Sequence, residues 1–113
     1  MHHTRRRPTH PGAILREDIL PAAAITQTDL ARRLGVSRRT VSEIVNERRP
    51  VTTDMAHRLA RVFGNSPEFW LRLQQAVDVW ETVEANRDAY ARIRPLPGAG
   101  LGGTTTRQPA SRV

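Results

Sequence analysis

Twenty residues, Gln27 to Asn46, constrain this chain more than any other stretch. Among them are the small residue Ala31, one glycine, Gly35, and apolar residues at five key positions, Leu30, Leu34, Val36, Val41 and Ile44. Leu30 and Leu34 lie four apart and Val41 and Ile44 three apart, so each pair shares one face of a helix. Thr26 suits an N-cap, with Asp29 placed to reach back to it as in a capping box. Gly35 suits the left-handed residue that follows a helix, and Ser37 caps the next one. Two short helices with so little linker must cross at a wide angle. Ala31 lets them approach closely, and the five apolar positions supply their common core.

That pattern is a helix-turn-helix, and the surrounding punctuation predicts three further helices. The first spans about Pro11 to Leu20, with Pro21 stopping it. Ile14, Leu15 and Ile19 are expected to share its inner face, leaving Arg16, Glu17 and Asp18 in solvent. After Arg38 to about Val45, Thr52 caps a fourth helix that closes at Gly64. Ser66 and Pro67 open a fifth, running through Val83 towards Ile93. Its apolar stripe, Phe69, Trp70, Leu73, Val77 and Trp80, is long for so small a domain and is the candidate dimer contact. No segment alternates with period two. The expected fold is all-α, a five-helix lambda-repressor-like domain over 10–94, with a flexible basic arm over 1–9 and a disordered tail over 95–113.

Charge points to the partner. Net charge is +7, and all 18 basic residues are Arg. Residues 32–61 concentrate it, with eight Arg against Glu43, Glu47 and Asp54. In a helix-turn-helix the second helix enters the major groove and its first residues meet base edges. Arg38 and Arg39 stand there, although cations at a helix N-terminus oppose the macrodipole. Their placement favours an anionic partner, and each can make paired bonds to guanine O6 and N7. Thr40 and Glu43 complete the candidate base-reading set. Glu43 can accept from cytosine N4 or orient Arg39 from one turn away. Candidate phosphate contacts are Gln27, Ser37, Ser42, Asn46, Arg48 and Arg49. Arg32, Arg33 and His57 read as ordinary solvated surface.

Other classes are excluded or disfavoured by what the chain lacks. There is no Cys, hence no disulfide framework, thiolate metal site or thiol nucleophile. The four His and the scattered carboxylates offer no metal spacing and no nucleophile with a base, so no enzyme and no cofactor is expected. The longest apolar stretch, Ile19 to Ile25, contains Pro21 and is too short to cross a bilayer, and the expected location is the cytoplasm.

From His10 to Trp80 the chain resembles the HigA group of antitoxins, within the wider Xre/Cro-type repressors. The resemblance is carried by His10-Pro11-Gly12, by TQTDLARRLGVSRRTVSEIVN from Thr26, by RRPVT from Arg48 and by GNSPEFWLRLQ from Gly64. It implies a homodimer that represses its own operon on double-stranded, inverted-repeat DNA. It also implies a small partner toxin, a HigB-type endonuclease that cuts mRNA on the ribosome. DNA contacts implied by the resemblance fall on Gln27, Arg38, Arg39, Thr40 and Glu43. Three positions depart from the group's pattern: Ala13 stands where Glu is frequent, Glu47 where Gly is common and Thr53 where Pro is frequent. With Glu47 in place of Gly, Asn46 is expected to take the left-handed conformation that ends the recognition helix. Two alternatives remain: a stand-alone repressor without a toxin, and a toxin-binding protein whose DNA binding is vestigial.

Overall fold

The computed structural model describes residues 6–98, and among these it contains five helices and no strand. Helix α1 is continuous but not uniform: α-helical over Pro11–Ile14, π-helical over Leu15–Ile19 and α-helical again over Leu20–Ala23. It is followed by α2 (Gln27–Leu34), α3 (Arg38–Val45), α4 (Thr53–Phe63) and α5 (Pro67–Ala91). Thr26 and Asp29 form the capping box at α2, Gly35 closes it at φ 74°, and Ser37 Oγ caps α3 by accepting from Thr40 N. Thr52 and Ser66 cap α4 and α5, and Gly64 ends α4 at φ 72°. The arm through residue 5 and the tail from residue 99 lie outside the described residues.

Three details differ from the sequence expectation. Pro21 does not stop α1, which runs on to Ala23 and ends at Ala24 in the left-handed region, φ 57°. A proline ring inside a helix crowds the carbonyl one turn earlier and lacks an N–H. The wide π turn immediately before it, Leu15–Ile19, relaxes that crowding. The same turn alters the inner face: Leu15 and Leu20 are fully packed, whereas Ile14 and Ile19 are half-buried. Arg16 leaves the solvated face and donates to the carbonyl of Val45, 2.5 Å.

The core lies where α2, α3, α4 and the first half of α5 meet, with α1 laid across α3 and α5. Leu30, Ala31, Leu34, Val41 and Ile44 are all buried there, so the crossing predicted for α2 and α3 is built from the residues that required it. Trp70 is the largest buried side chain. Its ring lies edge-on to Phe69, centroids 5.0 Å apart, and its Nε1 donates to Asn65 Oδ1. Truncating such a residue to Ala typically costs about 3–5 kcal/mol. Gln74, also buried, ties α5 to the loop before α4: Oε1 accepts from Val51 N and Nε2 donates to Asp78.

The stripe assigned to dimer contact divides accordingly. Trp70 and Val77 are consumed by the core of one chain and have no area left for a second. Phe69 remains exposed, and Leu73 and Trp80 are half-buried. Beyond Val77 the helix carries on as a projection whose residues 81–91 are all exposed, with a kink at Asn86 (φ −126°, ψ 21°). Asn86 Nδ2 donates to the carbonyl of Thr82.

Candidate nucleic-acid interface

Helix α3 turns Val41, Ile44 and Val45 into the core, which leaves its other face to solvent. Arg38 and Arg39 stand exposed at its first turn, and Arg38 makes no ion pair among the described residues. The Ser37 and Thr40 hydroxyls bond each other at 2.9 Å while Ser37 Oγ also holds the Thr40 amide. One bond between two hydroxyls uses one proton, so the other remains available to an incoming oxygen. Ser42 and Asn46 lie a turn apart further along and are joined at 3.4 Å. Gln27 sits half-buried at the N-terminus of α2, and Arg48 is exposed just past α3.

Glu43 sits between two arginines on this face. Its Oε2 accepts from Arg39 Nε at 3.1 Å, and its Oε1 accepts from Arg49 Nε and Nη2 at 2.9 and 2.6 Å. The Arg49 and Arg39 guanidiniums hold the Glu43 carboxyl below the usual carboxylate range, Arg49 having the larger effect. The three side chains differ in exposure: 86% for Arg39, 46% for Arg49 and 27% for Glu43.

The far end of α3 is secured by residues that the sequence reading did not single out for this face. Asn46 keeps φ −91°, and the left-handed residue is Glu47 itself, at φ 62°. A non-glycine residue in that region costs about 1–2 kcal/mol. Two ion pairs hold it: Glu47 Oε1 to Arg7 Nη1 at 2.7 Å, and Oε2 to Arg16 Nη2 at 3.3 Å. Arg7 hydrogen-bonding is the largest cause of the Glu47 carboxyl lying below its ordinary range. Arg7 also pairs with Glu81 on α5, so this residue of the predicted arm is anchored to the body. Arg16 meets the last-turn carbonyl of Val45, one of those that a helix end leaves unbonded.

His10 and Gly12 complete the support. His10 is buried and caps α1, its Nδ1 accepting from Gly12 N at 2.8 Å. Burial is the main cause holding its pKa below the ordinary value. Gly12 is buried against the Ile44 carbonyl of α3, where a Cβ would come within 1.8 Å of the oxygen. A glycine at the second position of a predicted helix, where no turn calls for it, is the signal in the sequence for such a close approach.

The helix-turn-helix family model matches residues 15–70. Antitoxin HigA-1 of Vibrio cholerae is 40% identical over 96 residues, 85% of this chain and 90% of that one. A Pseudomonas aeruginosa antitoxin HigA, solved with the higBA promoter, superposes with a TM-score of 0.76 at 43% identity, covering 80% of this chain and 99% of that one. Antitoxin GraA in complex with its operator gives a TM-score of 0.76 at 38% identity, over 85% and 98% of the two chains. Among the described residues, no helix is long and apolar enough to cross a membrane.

Proposed function

The chain belongs to the helix-turn-helix family as a DNA-binding regulator of the HigA and GraA antitoxin type, and from that premise we propose that it represses its own operon as a homodimer and neutralises a HigB-type mRNA-cleaving toxin. The observation that carries the DNA half is the exposed Arg38–Arg39 pair at the first turn of α3. Two cations there are unfavourable for the isolated helix and useful against guanine edges and phosphates. In this reading Arg38, Arg39 and Thr40 face bases, and Gln27, Ser37, Ser42, Asn46 and Arg48 face phosphates; Glu43 of the base-reading set and Arg49 of the phosphate set bond each other on the same face. Alanine at Arg38 or Arg39 weakens operator binding by about 1–3 kcal/mol and relaxes discrimination against scrambled DNA. Alanine at Arg48 weakens binding to all sequences and lowers the salt slope by about 0.9. Unchanged discrimination in both Arg38→Ala and Arg39→Ala refutes the base assignment.

For the homodimer, support comes from the outer face of α5. Ala76, Val79, Trp80 and Val83, with Pro8, Arg72 and Glu84, line an open groove of about 680 Å³. Val79 is 58% exposed, and Trp80 Nε1 is buried with no hydrogen-bond partner among the described residues. Antiparallel pairing of this face about a two-fold axis sets Arg72 against the partner's Glu84 and covers the apolar centre, as an isologous contact requires. Binding an inverted repeat requires such a dimer to set its two recognition helices about 34 Å apart. The toxin half is tested by expressing the small reading frame beside this gene, alone and with this chain. Growth arrest relieved by co-expression, with a complex recovered, is the expected result; no toxicity and no complex leaves a plain repressor.

A further inference from the structure

The base-facing arginine of α3 and the arginine just past its end share one counter-ion. Arg39 gives Glu43 only its Nε, and its side chain is largely exposed, which leaves both terminal nitrogens open to a ligand. Those two nitrogens form the end-on fork that a guanine edge accepts. Arg49 instead spends Nε and Nη2 together on the one Oε1. Its side edge is closed to a phosphate unless the carboxylate is displaced. Glu43 is less exposed than either arginine, but all three bonds lie at the surface, so the arrangement is sensitive to salt. It comes from the middle of α3, with Val41, Ile44 and Val45 beside it locked in the core, so its backbone does not follow the arginines when they move.

We propose that Glu43 is a positioning residue for specificity, an internal counter-ion that aims Arg39 at a base while withholding Arg49 from indiscriminate phosphate binding. On non-cognate DNA a phosphate must compete with Glu43 for the side edge of Arg49 and meets a guanidinium whose charge is already paired, so little is gained by the contact. On the operator, Arg39 meets its guanine with Glu43 still bound to Nε, so the aim is retained. The device raises the ratio of specific to non-specific binding without touching a base. The inference rests on the proposed DNA-binding role and deepens it.

The test measures binding of wild type and Glu43→Gln to two duplexes across a salt series. One duplex comes from the region just upstream of this chain's own gene, and the other is its scrambled version. Glu43→Gln keeps the shape of the side chain and removes its charge. It is expected to bind scrambled DNA about 3- to 10-fold more tightly at low salt, with a slope steeper by about 0.9, one phosphate contact. Discrimination between the duplexes is expected to fall about tenfold or more. In an Arg49→Ala background, Glu43→Gln no longer tightens scrambled-DNA binding; in an Arg39→Ala background it costs no further discrimination. Equal behaviour of wild type and Glu43→Gln on both duplexes overturns the proposal. So does a loss confined to one C·G pair that persists in Arg39→Ala, which makes Glu43 a direct reader. A wild-type protein that binds both duplexes equally, or neither, refutes the sequence-specific DNA-binding reading instead.

Discussion

Replacing Gly12 with Ala tests whether the start of α1 is pressed against the recognition helix. At an unconstrained helical position this change stabilises by about 0.5–1 kcal/mol. Here the added Cβ falls 1.8 Å from the Ile44 oxygen and 2.8 Å from its carbonyl carbon. Carbon and oxygen ordinarily approach to about 3.3 Å, so about 1.5 Å must be found. The obstructing atoms are backbone and have no rotamer to change. Either the first turn of α1 lifts away, opening the packing around Leu15, or the last turn of α3 moves with Arg16, Glu47 and the loop behind it. Overpacking of this kind costs about 1–3 kcal/mol, and the upper end applies because neither side yields freely. After the helix-propensity gain, a net loss of about 2 kcal/mol remains, a fall in Tm of about 10 °C for a domain of this size. Urea and thermal unfolding followed by circular dichroism give both numbers. A Tm equal to or above that of the wild type refutes the close approach, because only an open site lets the propensity gain show.

Two further predictions concern the same support. Burial lowers the His10 pKa, so the folded state binds fewer protons there than the unfolded chain. That contribution is fully present above the unfolded value of about 6.5 and is lost as pH falls through the folded pKa; His10→Asn, which keeps a capping acceptor, is expected to flatten unfolding stability in the window just below about pH 6.5. A variant as pH-sensitive as the wild type in that window disproves the assignment. At Glu47, glycine and alanine both delete the ion pairs to Arg7 and Arg16, but only glycine adopts φ 62° freely. Glu47→Gly is therefore expected to be about 1 kcal/mol more stable than Glu47→Ala by urea unfolding, and equal midpoints speak against strain at this residue.

The fold was legible wherever a local rule acted alone. The α2–α3 crossing followed from Ala31, Gly35 and five apolar residues, because capping, turn and core requirements all coincide within one short stretch. The helix starts followed from Thr26, Ser37, Thr52 and Ser66, since capping needs only a side chain and the next turn. What escaped was whatever depends on distant residues. Arg16 looked solvated because nothing in its own helix reveals that the Val45 carbonyl, 29 residues on, lacks a partner. Asn46 was expected to be left-handed on intrinsic preference, yet Glu47 takes that conformation because Arg7 and Arg16 hold it there. Trp70 and Val77 repeat at the same helical spacing as Trp80, and periodicity cannot tell an inward face that ends in a core from one that ends at a second chain. The candidate interface followed the same division. Its outward residues were named from the helix period, whereas the link from Glu43 to Arg49 crosses the helix end and had no local signature.

The π turn of α1 has a consequence for how that helix serves two neighbours. Leu20 N–H bonds back five residues to the Leu15 carbonyl, so the stretch holds one residue more than an α-helical path between the same ends would need. In angular terms the extra residue is a phase shift: the Pro11–Gly12 end and the Leu20 end are each clocked to their own partner, rather than bound to one common stripe. A rigid 3.6-residue screw cannot set Gly12 flat against the last turn of α3 and also drop both Leu15 and Leu20 into the core. By absorbing the mismatch within a single turn, α1 works as a coupling between the core and the back of the recognition helix, with both of its ends in register.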